Sequence, residues 1–314
     1  MNKLHYLLVL LVLQCGLIVW LYTYDSSDPV ASQAEQSLLA VEADKLVKIA
    51  ITDEHKRSVL LEKTAKGWVL PDYHGLDVDR GLLEQLLDKL TSLQAKWPVA
   101  TTAGAAERFN VSAQHFKRYV KLTDIDGMLH ELYLGDSPEP RKRYARNASS
   151  ASIYAIELGL HLVPGEAQTW FDKRLLKIKA PMQQIKGADF AVSKQGEQWL
   201  LDDLQENEKM DQTRLNGFVN VLSYPQVKAV LGDEKVAALK DQKPVAHYDV
   251  RTESGDVAYD IYRQGDEVVL KSSQSELYFI VPVYVTESLL SIKRNTLVNK
   301  IVEQTLPDAG SATP

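Results

Sequence analysis

Hydrophobic and polar positions divide the chain into one long apolar run near its N-terminus and a remainder in which apolar residues come in short, regularly spaced groups. The run covers Leu4 to Tyr22, and only His5 and Gln14 interrupt its apolar composition. About 20 helical residues, at roughly 1.5 Å each, cross a hydrocarbon core of roughly 30 Å. The pattern therefore predicts a cytoplasmic tip and a transmembrane anchor within residues 1–24.

The charges on either side of the run predict its orientation. Lys3 precedes the run, whereas the first cation after it is Lys45. Because cations near a span stay on the cytoplasmic side, we expect the N-terminus to lie inside and the bulk of the chain outside. A cleaved signal peptide is the alternative, but its apolar core has only about 7 to 15 residues. The best cleavage site, Ser32 to Ala34, also lies ten residues beyond the run.

Polar composition marks two segments as connections and not domains. Residues 25–37 are rich in Ser, Asp, Ala and Gln and show no apolar periodicity, so we expect a tether over 25–44. We likewise expect a flexible tail over 303–314. The two segments bound the part of the chain that we expect to fold.

The first half of that part shows strand-like runs around one helical stripe. Leucines at spacings of three and four predict an amphipathic helix over residues 83–93, and Asp79 stands where a helix cap is needed. Short β-like runs lie on either side of this helix. The predicted strands are Leu46 to Thr52, Ser58 to Lys63, Gly67 to Leu70, Tyr119 to Thr123, Met128 to Leu134, Arg143 to Arg146 and Ile153 to Ile156.

The second half repeats this order at nearly constant offsets. Trp68 and Trp199 are 131 residues apart, and Leu83 and Leu215 are 132 apart. The offset falls to 124 between Ile153 and the matching Leu277, which places about six extra residues in the first half between positions 136 and 153. The pattern predicts an α+β fold of two duplicated domains of antiparallel strands with amphipathic helices, at residues 45–180 and 181–302. We expect both tryptophans to be buried in the cores.

Several short motifs together are similar to those of a known family. They are the Gly-Trp-x-Leu strand at 67–70, the Leu-rich helix, the Leu-Gly-Asp at 134–136, Tyr144-Ala145-Arg146 and the Ile153-Tyr154 strand. The chain resembles the domain-of-unknown-function 4340 family over roughly residues 40–300. That resemblance implies a single-anchored protein of the bacterial inner membrane and periplasm, often associated with ABC-type transport systems related to gliding motility. It implies no active site, and the second half lacks the Tyr-x-Arg motif.

The amino-acid composition argues against some kinds of partner and site. The net charge of −6 and the pI near 5.7 argue against a nucleic-acid binder, which normally carries a basic face. The single cysteine, Cys15, lies inside the apolar run, so the part beyond the run has no thiol for a disulfide or a thiolate metal site. We expect Cys15 to pack within the anchor helix.

The chain shows no sequence motif for catalysis or cofactor binding. It contains no phosphate loop, nucleophile elbow, zinc-protease motif or dinucleotide fingerprint, and no two histidines are spaced as a helical metal pair. His74 lies in a turn, and a solvated histidine is a simpler interpretation there than a general base. Asp77 and Asp79 lie just before the predicted helix, so helix capping is a simpler role for them than acid–base catalysis. We therefore expect no enzyme activity, no cofactor and no metal.

One group of charged residues is a candidate binding site. Four cations, at Arg141, Lys142, Arg143 and Arg146, stand beside Tyr144 in an otherwise acidic protein, within the longer hairpin of the first half. Such a group suits an anionic partner, an anionic polymer or lipid headgroups, and the simpler alternative is a solvated hairpin tip. We treat the four as a candidate docking site.

Three functions follow as expectations. The first is a non-enzymatic accessory or scaffold at the membrane, in an envelope complex of ABC-transporter type. The second is a periplasmic module that binds a ligand or glycan between the two copies. The third is a hydrolase whose site is assembled from residues far apart in the sequence.

Overall fold

The computed structural model describes residues 11–20, 36–239 and 241–300. Contacts within the chain divide it into two compact units, the first ending at Trp170 and the second beginning at Phe171. The sequence placed this boundary at 180. Each unit contains one large antiparallel sheet with few helices, which is the mixed class that the sequence predicts.

Part of the predicted anchor is described. Residues 11–20 are helical and exposed, and Cys15 is among them. Residues 4–10 and 21–22 of the apolar run lie outside the described ranges, as do the predicted tail and the tether up to residue 35. No helix within the described ranges is both long enough and apolar enough to cross a bilayer.

The first unit has an eight-stranded sheet in the order β10-β9-β8-β7-β2-β3-β4-β5, and β1 pairs separately with β6. Its strands are β1 Gln36–Ser37, β2 Leu46–Asp53, β3 Ser58–Thr64, β4 Gly67–Leu70, β5 Leu76–Asp77, β6 Gln94–Ala95, β7 Arg118–Asp124, β8 Leu129–Leu134, β9 Arg143–Asn147 and β10 Ile153–Ile156. Its helices are α1 Arg80–Thr91 and α2 Ala103–Arg108, with 3-10 turns at Ala43–Lys45, Pro71–Tyr73, Leu160–Leu162 and Ala167–Trp170.

The predicted helix of the first unit is confirmed as α1. The carboxylate of Asp79 accepts a hydrogen bond from the backbone N of Leu82 at 3.0 Å, so it caps the helix as expected. Leu83, Leu86 and Leu90 are buried, since spacings of three and four bring them onto one face.

The second unit has an eight-stranded sheet in the order β13-β12-β11-β16-β17-β18-β19-β15, and β14 pairs separately with β20. Its strands are β11 Met182–Lys186, β12 Ala191–Gln195, β13 Gln198–Leu201, β14 Glu208–Met210, β15 Ala229–Val230, β16 Ala246–Thr252, β17 Gly255–Gln264, β18 Glu267–Ser272, β19 Tyr278–Ile280 and β20 Val298–Lys300. Its helices are α3 Gln212–Ser223, α4 Asp233–Leu239 and α5 Val283–Leu290, with a 3-10 turn at Arg294–Thr296. Asp211 caps α3 by accepting from the backbone N of Arg214 at 3.0 Å.

The two sheets share a connection pattern. In each, the first long strand (β2 or β11) lies between its hairpin partner (β3 or β12) and the strand that follows the helices (β7 or β16). They differ in one hairpin, because residues 135–142 join β8 to β9, whereas only 265–266 join β17 to β18. Eight residues against two gives the difference of six that the sequence offsets predict at this place.

Candidate functional site

The four candidate cations occupy two kinds of position. Arg141 and Lys142 end the loop between β8 and β9, and Arg141 is exposed with a positive φ of 67°. Arg143 and Arg146 lie on β9 itself and are half-buried. The sequence grouped all four as one docking patch, but the structure places only the first two in the loop.

Arg143 serves the hairpin from within. Its Nη1 donates a hydrogen bond to the carbonyl oxygen of Gly135 at 2.7 Å. Burial lowers the pKa of its guanidinium, and its Nε is buried with no hydrogen-bond partner among the described residues. Arg143 therefore ties the two arms of the hairpin together.

Arg146 has a similar internal role. Its Nε donates to the carbonyl oxygen of Val111 at 2.7 Å, and its Nη1 lies 3.1 Å from the carbonyl oxygen of Ser150. Its guanidinium also lies over the ring of Tyr133, 4.9 Å from the centroid. Through these contacts Arg146 links the loops that contain Val111 and Ser150.

Close contacts hold the loop of residues 135–142 in one shape. The backbone N of Gly135 donates to the carbonyl oxygen of Tyr144 at 2.9 Å. The hydroxyl of Ser137 lies 2.7 Å from the carbonyl oxygens of both Glu139 and Lys142. Arg141 and Lys142 are thus presented on a fixed support.

A cleft of about 570 Å³ opens beside this loop, and we call it the basic cleft. Its lining comes from the C-terminal end of α1, from β6 and the residues after it, from the hairpin, and from the end of β10. The lining residues are Lys89, Ser92, Leu93, Gln94, Lys96, Trp97, Lys142, Ala155, Ile156 and Glu157.

Positive charge dominates the basic cleft. Three lysines face one carboxylate, that of Glu157, which leaves a formal excess of two positive charges among the lining residues. The ammonium of Lys142 donates to Glu139 at 2.7 Å, and this hydrogen bond raises the pKa of Lys142, with a smaller contribution from Glu157. Trp97 adds an indole that is 68% exposed. The arrangement suits an anionic group beside an aromatic contact.

A second polar cluster lies in the second unit and was missed by the sequence analysis. Nδ1 of His247 lies 2.6 Å from Oδ1 of Asp260, which is its cross-strand partner, and Nε2 lies 3.1 Å from Oδ1 of Asp249. The hydrogen bond with Asp260, assisted by Asp249, raises the pKa of His247 against the effect of burial. Both carboxylates favour a proton on the nitrogen they face, so the contacts stabilise the protonated form of the ring.

His247 also borders a cleft of about 270 Å³. The buried residues of its lining are Phe190, Tyr248, Leu289 and Ile292, and the exposed ones are Ala188, Asp189, Val245, His247 and Lys293. Ala246 and Leu290 complete the lining. The hydroxyl of Tyr248 donates to the carbonyl oxygen of Leu289, and burial raises the pKa of Tyr248 to about 12. The side chain of Tyr248 therefore has a structural role in this cleft.

Candidate metal ligands are not grouped together within the described ranges. No cluster there brings together three or more His, Cys, Asp or Glu side chains in a way that suits a metal ion. His74, considered as a base from the sequence, ends a 3-10 turn with a left-handed φ of 56°. The two aspartates weighed as acid–base residues also lie at structural positions, with Asp77 on β5 and Asp79 capping α1.

A comparison with protein families identifies the family of this chain. A family model described as a domain of unknown function (DUF4340) matches residues 68–245, more than half of the chain. The chain belongs to the DUF4340 family. The matched region runs from β4 of the first unit into the second unit and includes both the basic cleft and the hairpin. No curated protein and no solved structure matches the chain.

One motif of this DUF4340 protein has a clear physical reason. A Cβ built on Gly135 of the Leu-Gly-Asp segment would lie 2.0 Å from the carbonyl oxygen of Phe109 and 2.7 Å from that of Asn110. The next residue, Asp136, accepts a hydrogen bond from the amide of Asn110 at 2.7 Å. The motif therefore anchors the base of the hairpin, beside the basic cleft.

Proposed function

We propose that this protein is a non-enzymatic accessory or scaffold, held in the bacterial inner membrane by residues 4–22 with its two units in the periplasm. The apolar run and the position of its flanking cations support this topology. The resemblance of the sequence motifs to those of the DUF4340 family, whose members are often associated with ABC-type transport systems, suggests a complex of that type as the partner. The function is binding, and the partner carries out any chemistry.

The observation that carries this proposal is the rigid hairpin of the first unit. Arg143 and Arg146 fasten it from within, so that Arg141 and Lys142 remain at its end. A preorganised pair of cations loses little conformational entropy on docking and steers an anionic partner toward it.

We further propose that the two units are copies of one duplicated α+β domain. Their matching strand connections and capped helices support this, as do the regular sequence offsets. The duplication gives the second unit a hairpin without the six extra residues. Docking through Arg141 and Lys142 therefore belongs to the first unit alone.

A periplasmic ligand- or glycan-binding module is the second candidate. Trp97 favours it, because an exposed indole beside three lysines in a cleft is a common arrangement for an anionic ligand with an apolar face. Quenching of the Trp97 fluorescence by a soluble acidic saccharide would favour this module over the scaffold.

The experiment that tests the scaffold is co-purification from solubilised membranes. The variant carries Arg141→Glu with Lys142→Glu, and the matched control carries Lys63→Glu with Lys66→Glu, which reverses two exposed cations at and beside the β3–β4 turn. We expect the first pair to lose a partner that wild type and control both retain, with a smaller difference at high salt. Equal recovery of every partner by all three proteins would contradict the proposal.

A further inference from the structure

The chain enters the first unit directly beside the basic cleft. β1 is the first described element after the helical residues 11–20, and its residues Gln36 and Ser37 pair with Ala95 and Gln94 of β6. The next residue, Leu38, donates its backbone N–H to the carbonyl oxygen of Leu93 at 2.9 Å. Since Leu93 and Gln94 line the basic cleft, the cleft lies where the tether joins the folded unit.

The length of that tether limits how far the cleft can lie from the bilayer. The apolar run ends at Tyr22, so 14 residue steps separate it from Gln36. At no more than about 3.6 Å per residue, these steps span at most about 50 Å. The point where the chain enters the first unit, beside the basic cleft, is therefore within about 50 Å of the end of the proposed anchor.

The side chains at this place have the composition of a membrane interface. Trp97 is 68% exposed and Val99 is 48% exposed, and Lys96 stands next to them in sequence. Lys89 and Lys142 line the same cleft. Tryptophan beside lysine is typical of the zone where apolar chains meet headgroups, because the indole is amphipathic and the ammonium binds phosphate.

The backbone keeps these exposed apolar side chains from turning inward. Val99 donates its N–H to the carbonyl oxygen of Ile153 at 2.7 Å, and Ile153 donates to that of Ala100 at 2.8 Å. The segment after β6 thus pairs with β10 through an isolated bridge between Ala100 and Ile153, held by these two hydrogen bonds. Trp97 and Val99 remain available for contact with another surface.

We propose that the basic cleft binds the phosphate-bearing headgroups of anionic phospholipids, with Trp97 and Val99 entering the interface beside them. This proposal rests on the proposed membrane anchor and names a ligand for the first unit. A single lysine near an anionic surface is attracted only weakly. A tethered unit needs no more than this, because the anchor supplies a high effective concentration of lipid. The contact orients the hairpin toward partners in the same membrane.

The test uses the full chain reconstituted into vesicles. An environment-sensitive fluorophore is attached to a cysteine at Val99→Cys in a Cys15→Ser background, so that Trp97 is retained. A control label at Ala65→Cys lies on the exposed β3–β4 turn. β3 is five strands from β10 in the sheet order, about 24 Å at the usual strand spacing. Quenching by lipid with a headgroup-proximal quencher is compared between phosphatidylcholine vesicles and vesicles that also contain phosphatidylglycerol.

We expect quenching at position 99 to rise several-fold with phosphatidylglycerol and to fall again at high salt, with little change at position 65. Adding Lys89→Glu and Lys142→Glu should abolish the rise, whereas Lys63→Glu with Lys66→Glu should preserve it. Quenching that does not depend on phosphatidylglycerol, or that is equal at both positions, would overturn the headgroup proposal while leaving the anchor intact. If the full chain fails to float with any vesicles, the anchor is wrong, and the headgroup proposal falls with it.

Discussion

Trp68 and Trp199 hold the same strand position in their units but differ in burial. Each is the second residue of its strand, β4 or β13, and each pairs with a lysine of the preceding strand, Lys63 or Lys194. Trp199 is only 7% exposed, whereas Trp68 is half-buried. The expectation that both are core residues is therefore correct for Trp199 and wrong for Trp68.

This difference predicts unequal costs of truncation. Removing a large buried aromatic side chain leaves a cavity, so Trp199→Ala should lower the free energy of unfolding of the second unit by about 3 to 5 kcal/mol. Trp68→Ala should cost the first unit clearly less, because part of its ring already contacts water. Chemical denaturation of each variant measures both losses, and a Trp68 loss equal to or greater than the Trp199 loss would contradict the burial assignment.

Gly135 predicts a sharper effect in the first unit. Gly135→Ala would force its Cβ against the carbonyl oxygens of Phe109 and Asn110, both of which are backbone atoms. We expect a loss of about 3 kcal/mol in the free energy of unfolding, at the upper end of overpacking effects. Denaturation curves of the variant and wild type measure it.

The matched control for this glycine is Gly104→Ala in α2. A Cβ at Gly104 meets no atom within 4 Å, and alanine favours a helix more than glycine does, so this variant should be neutral or slightly stabilising. Similar stabilities for the two variants would show that the contact at Gly135 does not limit the fold.

The structural elements were largely predictable because they depend on local pattern. Apolar spacing and the Asp79 cap define α1, and alternation defines the long strands. The longer loop between β8 and β9 was likewise predicted, from the drop in the offset between the two halves. These features show in the order and spacing of residues along the chain, so the sequence alone predicts them.

The basic cleft and the charged clusters were not predictable for the opposite reason. Lys89 and Lys142 are 53 positions apart and meet only in the folded unit. The pairing of His247 with Asp260 depends on the register of β16 and β17, although the His-x-Asp alternation at 247–249 was a usable signal. The internal contacts of Arg143 and Arg146 also depend on distant carbonyl groups, and this is why the sequence took all four cations for surface residues.

The His247 cluster predicts a pH dependence with a definite sign. The pKa of His247 is raised in the folded state, so its stabilising contribution is complete below the ordinary value of about 6.5 and is lost as the pH rises through the higher folded value. Because the pair is half-exposed and screened, the contribution should stay below about 1 kcal/mol. Hydrogen exchange of the β16 and β17 amides in His247→Asn should therefore show more loss of protection at acidic than at alkaline pH.

The control for this experiment is His55→Asn, which changes an exposed histidine of the β2–β3 turn in the first unit. It should leave protection in β16 and β17 unchanged at every pH. A His247→Asn effect that is equal at both ends of the range, or larger at alkaline pH, would contradict a raised pKa of His247 in the folded state.

A pair of C-terminal reporter fusions with membrane fractionation tests most directly the proposal that residues 4–22 hold the two folded units outside the cytoplasm. We predict that an alkaline phosphatase fusion is active and stays with the membrane fraction, while a reporter that works only in the cytoplasm is silent. Replacing Leu8 to Leu13 by polar residues should abolish export of the phosphatase. An inactive phosphatase with an active cytoplasmic reporter, or release of the units as a soluble species, would contradict the account.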